Sequence, residues 1–192
     1  QKEAVTTLDG PVMILAGAGS GKTRVIIQRI AYLIQKKQVT PKQILAVTFT
    51  NKAAEEMRVR LHEMLSGKQK GIHLSTFHAL GVSLLRKSIH HLGYRSNFII
   101  YDTRDQFSVI KTIMEDHDFD DSGLLDAQFV HYEISRAKST GSSPEEFLDQ
   151  QESQQKQLVG KILRHHQQTL NGCNSLAFAH ILNLTLVLLY IL

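Results

Sequence analysis

Cysteine is almost absent from these 192 residues; the one present is Cys173. A single thiol excludes an intramolecular disulfide and every zinc pattern built on several cysteines, and it makes a reducing, cytoplasmic setting the expectation. Acidic residues are scarce in the first hundred positions, where 5 Asp and Glu face 15 Lys and Arg, a net of +10. No internal repeat shows, and no basic-then-apolar leader opens the chain, so a secretory signal is not expected. Apolar runs of membrane-spanning length are also missing. The longest, "LAFAHILNLTLVLLYIL" at 176–192, contains His180, Asn183 and Thr185. As a helix it would extend about 25 Å at ~1.5 Å per residue, short of the ~30 Å of a bilayer core. A core helix and no membrane partner are the expectation. The run closes without polar residues, so self-association through that helix is a second one.

Enough is present for a folded core: 42% of the residues are hydrophobic, and the length suits one or two domains. Charge is unevenly spread. Residues 101–150 reverse the basic excess, with 12 acidic against 4 basic side chains. The basic half also carries the most conspicuous motif. A polyanion partner and a solvated basic surface are both open on charge alone.

The motif is "ILAGAGSGKTR", 14–24. The apolar run 11–16 reads as a buried strand feeding a glycine loop. From Lys22 the positions Val25, Ile26, Arg29/Ile30, Leu33 and Ile34 recur at helical spacing. Residues 43–49 and 72–76 read as further strands. The stretch beginning at Asn51, a candidate cap, puts Ala54, Met57, Leu61 and Leu65 on one helix face. Residues 77–93 read as a helix ending at Gly93. The first 93 residues thus alternate strand and helix, predicting an α/β layer with a parallel sheet. Afterwards the texture becomes acidic and helical: 102–116 with Asp102 as N-cap, 126–138, and 144–170 opened by Pro144.

Ala16, Gly17, Ala18, Gly19, Ser20, Gly21, Lys22 and Thr23 fit the phosphate-binding P-loop except at the first position, where Ala16 replaces Gly. Glycines let backbone N–H groups turn toward a β-phosphate, and the helix N-terminus adds partial positive charge. Lys22 suits the β- and γ-phosphates, and the Thr23 hydroxyl suits Mg²⁺. ATP with Mg²⁺ is the predicted cofactor. Two further clusters close the next strands. Thr48, Phe49, Asn51 and Lys52 combine an aromatic ring with polar and cationic groups, as single-stranded nucleic acid requires. Read alone they also fit a capped turn with a core Phe. Thr76, Phe77 and His78 follow the third strand, where His78 alone fits a core histidine equally well.

Order and spacing of the three clusters resemble the amino terminus of the UvrD/Rep/PcrA group of superfamily 1 DNA helicases. The resemblance is dense through "ILAGAGSGKTRV", "ILAVTFTNKAAEEMRVRL" and "STFHALGVSLLR" and looser through "YDTRDQFSVIK", "ISRAKSTGSSPEEF" and "NSLAFAHILNLTLVLL". It implies a P-loop NTPase, RecA-like parallel sheet with helices on both faces, plus an inserted mostly α-helical subdomain. Residues 1–95 would be the first part of the RecA-like domain, 96–172 the insert and 173–192 the start of the return. It further implies that Gln1 reads adenine, Arg24 packs on it, and Thr48, Phe49, Asn51, Lys52, Thr76, Phe77 and His78 hold single-stranded DNA. The implied activity is ATP-dependent 3′-to-5′ unwinding of 3′-tailed duplex DNA in repair or replication.

Hydrolysis in this family also needs an apolar strand ending in Asp-Glu, for Mg²⁺ and for the attacking water. The nearest imitation is "FIIYDTRD", 98–105, where Thr103 follows Asp102 and a helix cap is the better reading. The family usually reads Asp-Phe-Asp-Asp where this chain has Ala177, Phe178, Ala179 and His180. "DHDFDD", 116–121, fails as a Ca²⁺ loop because Asp121 and Ala127 stand where Gly and Glu are required. The expectation is a chain that binds ATP and DNA without turning ATP over by itself. A stand-alone non-catalytic binding module or a decayed helicase remnant is the alternative.

Overall fold

Residues 1–17, 19–119, 125–149 and 153–192 are described by the computed structural model. They divide into two units, Gln1–Leu80 and Gly81–Leu192. Ala18 of the glycine loop and Asp120 and Asp121 of the acidic turn lie outside the described residues.

Three helices, α1 (Lys2–Thr6), α2 (Lys22–Lys36) and α3 (Asn51–Leu65), and two strands, β1 (Leu45–Thr48) and β2 (His73–Thr76), make up most of the first unit. The helix stripe of α3 is realised as expected, with Ala54, Met57, Leu61 and Leu65 buried. Its cap is Thr50 rather than Asn51: the Thr50 hydroxyl accepts the Ala53 amide at 3.1 Å. On α2 the buried side chains are Val25, Ile27, Ile30 and Ala31, while Ile26 faces out. Ile27, Ile30 and Ala31 interlock with Ile44, Ala46, Met57, Leu61 and Leu65 in one core. The strands run parallel, with Leu45 opposite His73 and Thr48 opposite Thr76.

The expected strand at 11–16 does not form. Residues 11–17 have no strand pairing, and Met13 and Leu15 are 83% and 86% exposed. A strand is held by ladder hydrogen bonds to a neighbour, and among the described residues β1 pairs only with β2. The α/β class holds in a coarse form, mostly helical with two small parallel sheets.

β2 leads into α4 (Phe77–Ser88), which tightens to a 3-10 turn at Ile89–Leu92 and stops at Gly93, in the left-handed conformation with φ +80°. In the second unit β3 (Ile99–Tyr101) precedes α5 (Thr103–Asp116), α6 (Ala127–Thr140), α7 (Pro144–Asp149) and α8 (Gln154–Gly172). β4 (Ser175–Ala177) then pairs in parallel with β3, and a 3-10 turn at Phe178–His180 leads to α9 (Ile181–Ile191). Asp102 caps α5, accepting the amides of Arg104 at 2.7 Å and Asp105 at 2.9 Å. These bonds, that from Asp105 foremost, hold its carboxyl below the usual range. Helices α5, α6 and α8 bury Ile110, Val130, Ile134, Val159 and Ile162 between them. α4 and α9 approach closely at Gly81, where a Cβ would lie 2.7 Å from the Thr185 hydroxyl and 3.1 Å from an Ile181 methyl. Among the described residues no helix is long and apolar enough to cross a membrane.

Candidate nucleotide and DNA site

The glycine loop ends at Gly21, whose φ of +87° is the left-handed turn from which α2 departs. Gly19 also has positive φ, +73°. These two positions curl the chain over the first turn of α2, where the free amides and the helix dipole favour an anion. Thr23 and Arg24 are exposed on that turn. Lys22 folds back, its ammonium donating to the carbonyls of Ala16 at 3.0 Å and Gly17 at 2.7 Å. Ser20 closes the loop, its hydroxyl donating to the Gly17 carbonyl at 2.7 Å.

Gln1 adjoins this loop. Its side-chain amide donates to the Ser20 carbonyl at 3.1 Å. α1 is pinned to α2 by Arg29, whose guanidinium donates to the Ala4 carbonyl at 2.8 Å. Gln1, Ala16, Gly17, Ser20 and Lys22 line a cleft of about 500 Å³ whose apolar side is Ile14, Leu15, Val25 and Ile26. A neighbouring cleft holds Arg24 beside Gln1, Val5 and Gln28. Residues expected at opposite ends of an adenine nucleotide thus share one surface. Sequence reasoning did not assign Arg29 a role; its signal was a cation on the apolar stripe of α2.

The other clusters meet through strand register. Because Thr48 lies opposite Thr76, Phe49 and Phe77 emerge from adjacent strand ends, 87% and 50% exposed. The core-Phe reading of Phe49 is thereby removed. Asn51 and Lys52 stand exposed on the first turn of α3. Thr76 is placed otherwise: it is buried, and its hydroxyl accepts the Ala79 amide at 3.2 Å, capping α4. Thr48 and His78 are half-buried. Residues 37–44 link the C-terminal end of α2 to the start of β1, and Arg24 on the first turn of α2 shares a groove with Arg60, Glu63 and Met64 of α3.

The Thr23 hydroxyl is exposed on the first turn of α2, and among the described residues no group of three or more His, Cys, Asp or Glu could hold a metal.

The chain is 43% identical over 188 residues to the ATP-dependent DNA helicase PcrA of Bacillus subtilis, spanning 98% of this chain and 25% of that protein. It is 39% identical over 186 residues to PcrA of Staphylococcus epidermidis and 38% identical over 186 residues to PcrA of Staphylococcus aureus, again spanning 97% of this chain and 25% of each relative. Since residues 1–190 match the model of the UvrD/REP helicase N-terminal domain, the chain belongs to the UvrD/REP helicase family through that domain.

Proposed function

We propose that this chain is the ATP- and single-stranded-DNA-binding amino-terminal portion of an ATP-dependent 3′-to-5′ DNA helicase. The observation that carries the reading is the parallel register of β1 and β2, which sets exposed Phe49 and Phe77 side by side at the strand ends. The rings offer stacking faces to unpaired bases, and Asn51 and Lys52 offer donors to the phosphates. Thr48 and His78 border this track, and Thr76 supports it from beneath. ATP lies with its phosphates over Gly17, Gly19, Ser20, Gly21, Lys22 and Thr23, and its adenine against Gln1 and Arg24. Thr23 supplies a hydroxyl to Mg²⁺. In the domain arrangement proposed with this, 1–95 and 173–192 belong to the RecA-like layer, 96–172 is the helical insert, and the protein works in the cytoplasm on 3′-tailed duplex.

These 192 residues include no apolar strand ending in Asp-Glu. On that ground the chain as given binds ATP without hydrolysing it. A fluorescent ATP analogue should bind the wild type, and Lys22→Ala should weaken it at least tenfold. DNA-stimulated phosphate release that disappears in Lys22→Ala would defeat the non-catalytic part of the proposal. Leu186, Leu189 and Ile191 leave α9 with an exposed apolar side, which supports self-association as a companion proposal. Sedimentation showing a monomer at all accessible concentrations counts against it.

A further inference from the structure

Five lysines gather at the end of the first unit opposite the glycine loop. Lys36 closes α2 and Lys37 follows it. Lys42 sits in the 3-10 turn Pro41–Gln43, and Lys68 and Lys70 sit in the turn after α3. Three contacts bring these segments together. A Cβ on Gly71 would lie 3.0 Å from the Lys42 side chain and 3.8 Å from Pro41. The His73 amide donates to the Ile44 carbonyl at 3.0 Å. Beneath them, Ile72 and Val39 pack on the core formed by α2, β1 and α3.

All five lysines are exposed, and among the described residues none is in an ion pair. Segments 34–45 and 66–73 contain no Asp or Glu. Glu63, the nearest acid in sequence, lines the groove between α2 and α3 with Arg24 and Arg60 instead. Lys36 and Lys37 have a local reason, since cations complement the negative end of a helix dipole. Lys68, whose amide bonds the Leu65 carbonyl that ends α3, has the same one; Lys42 and Lys70 have none. Like charges this close are retained at a cost unless a polyanion offsets it.

The chemistry of the patch selects among polyanions. Single-strand seats combine cations with aromatic rings, and neither segment contains Phe, Tyr or Trp. Lysines without bidentate arginines or stacking rings read phosphate charge rather than sequence. We propose that Lys36, Lys37, Lys42, Lys68 and Lys70 form a second nucleic-acid contact, a sequence-independent seat for the backbone of duplex DNA. It stands about 22 Å from the phosphate loop along the 15 residues of α2. The choice of DNA over an acidic protein rests on the function proposed above.

The test titrates the 192-residue chain with a blunt duplex and, separately, with a single-stranded oligonucleotide over a salt series. Each phosphate contact contributes about 0.9 to the slope of log affinity against log salt. The variant Lys42→Gln/Lys68→Gln/Lys70→Gln should lower the duplex slope by about 2.7 and leave single-strand binding within twofold. The matching triple arginine variant should keep the slope. Phe49→Ala should weaken only the single strand. An unchanged duplex slope in the glutamine variant overturns the seat, as does a polyglutamate peptide that competes as well as duplex at equal charge. Loss of the seat with Phe49-dependent single-strand binding intact leaves the proposed function standing. Absence of both kinds of binding at low salt removes both.

Discussion

At the residue scale, Phe49 is the sharpest test of the DNA track. Its ring is 87% exposed at the end of β1, where it contributes little to the core. Stacking on one base is worth about 1–3 kcal/mol. Phe49→Ala should therefore reduce single-strand affinity by roughly 5- to 150-fold, read by fluorescence anisotropy, while the melting temperature stays within a degree or two. Thr76→Val should behave in the reverse way, because its hydroxyl caps α4 from a buried position. Losing that cap should cost about 1 kcal/mol of stability, measured by urea denaturation, with a smaller change in DNA affinity. The exposure of Phe49 was not legible from its own neighbours, which fit a core Phe equally well; the strand register and its 87% exposure decide it. The cap made by Thr76 was not legible either, since a strand-end threonine reads alike whether its hydroxyl meets solvent or a backbone amide.

At the element scale, the second unit carries an unusual junction. Lys138 at the end of α6 is 3% exposed and donates to the Gln167 side chain of α8 at 2.9 Å. Among the described residues it has no carboxylate partner. His166 of α8 is fully buried with neither ring nitrogen bonded. His180, in the turn before α9, and His131 of α6 complete the set of titratable groups acting on it. Burial foremost, and then the Lys138 charge, depresses His166 to about 3 and His180 to about 4. Burial alone lowers Lys138 to about 8. The fold thus holds both imidazoles neutral. Their contribution is complete above the ordinary imidazole pKa of about 6.5 and is lost as pH falls from there toward 4. Unfolding free energy should decline with a slope approaching two protons between about pH 6 and pH 5, and His166→Leu should remove about one of them. Lys138 adds a separate loss as pH falls from about 10.5 toward 8. A flat profile in calorimetry between pH 5 and 7 would contradict this account. Gly81→Ala offers a second test, because the added methyl meets Thr185 and Ile181. It should cost about 1–3 kcal/mol of stability. Helices such as α3 were legible because their stripe repeats over four turns. β3 and β4, three residues each, were not, because so short a run carries no period. The turn from β4 into α9 likewise breaks what reads as one apolar helix.

At the scale of the whole molecule, sequence and structure agree on α/β character and differ on the first strand. The run at 11–16 has a strand's composition, but composition does not provide the neighbour that makes it one. The charge asymmetry does survive into the structure. Residues 1–80 hold 12 basic and 5 acidic side chains, and residues 81–192 hold 10 and 13. Binding of either DNA form should therefore weaken steeply with salt and depend on the first unit, as competition at 50 and 200 mM salt would show. The unpaired segment 11–17 has a different consequence. Residues 11–15 pair with no neighbouring strand, and Val12, Met13, Ile14 and Leu15 are exposed and uncharged. Exposed apolar segments of this length are sites where copies of a chain pair into cross-β stacks. Those four side chains should therefore shorten shelf life in concentrated solution. Met13→Lys, which places a charge in the middle of the segment, should delay the growth of thioflavin-positive aggregates while leaving residues 16–23 unchanged.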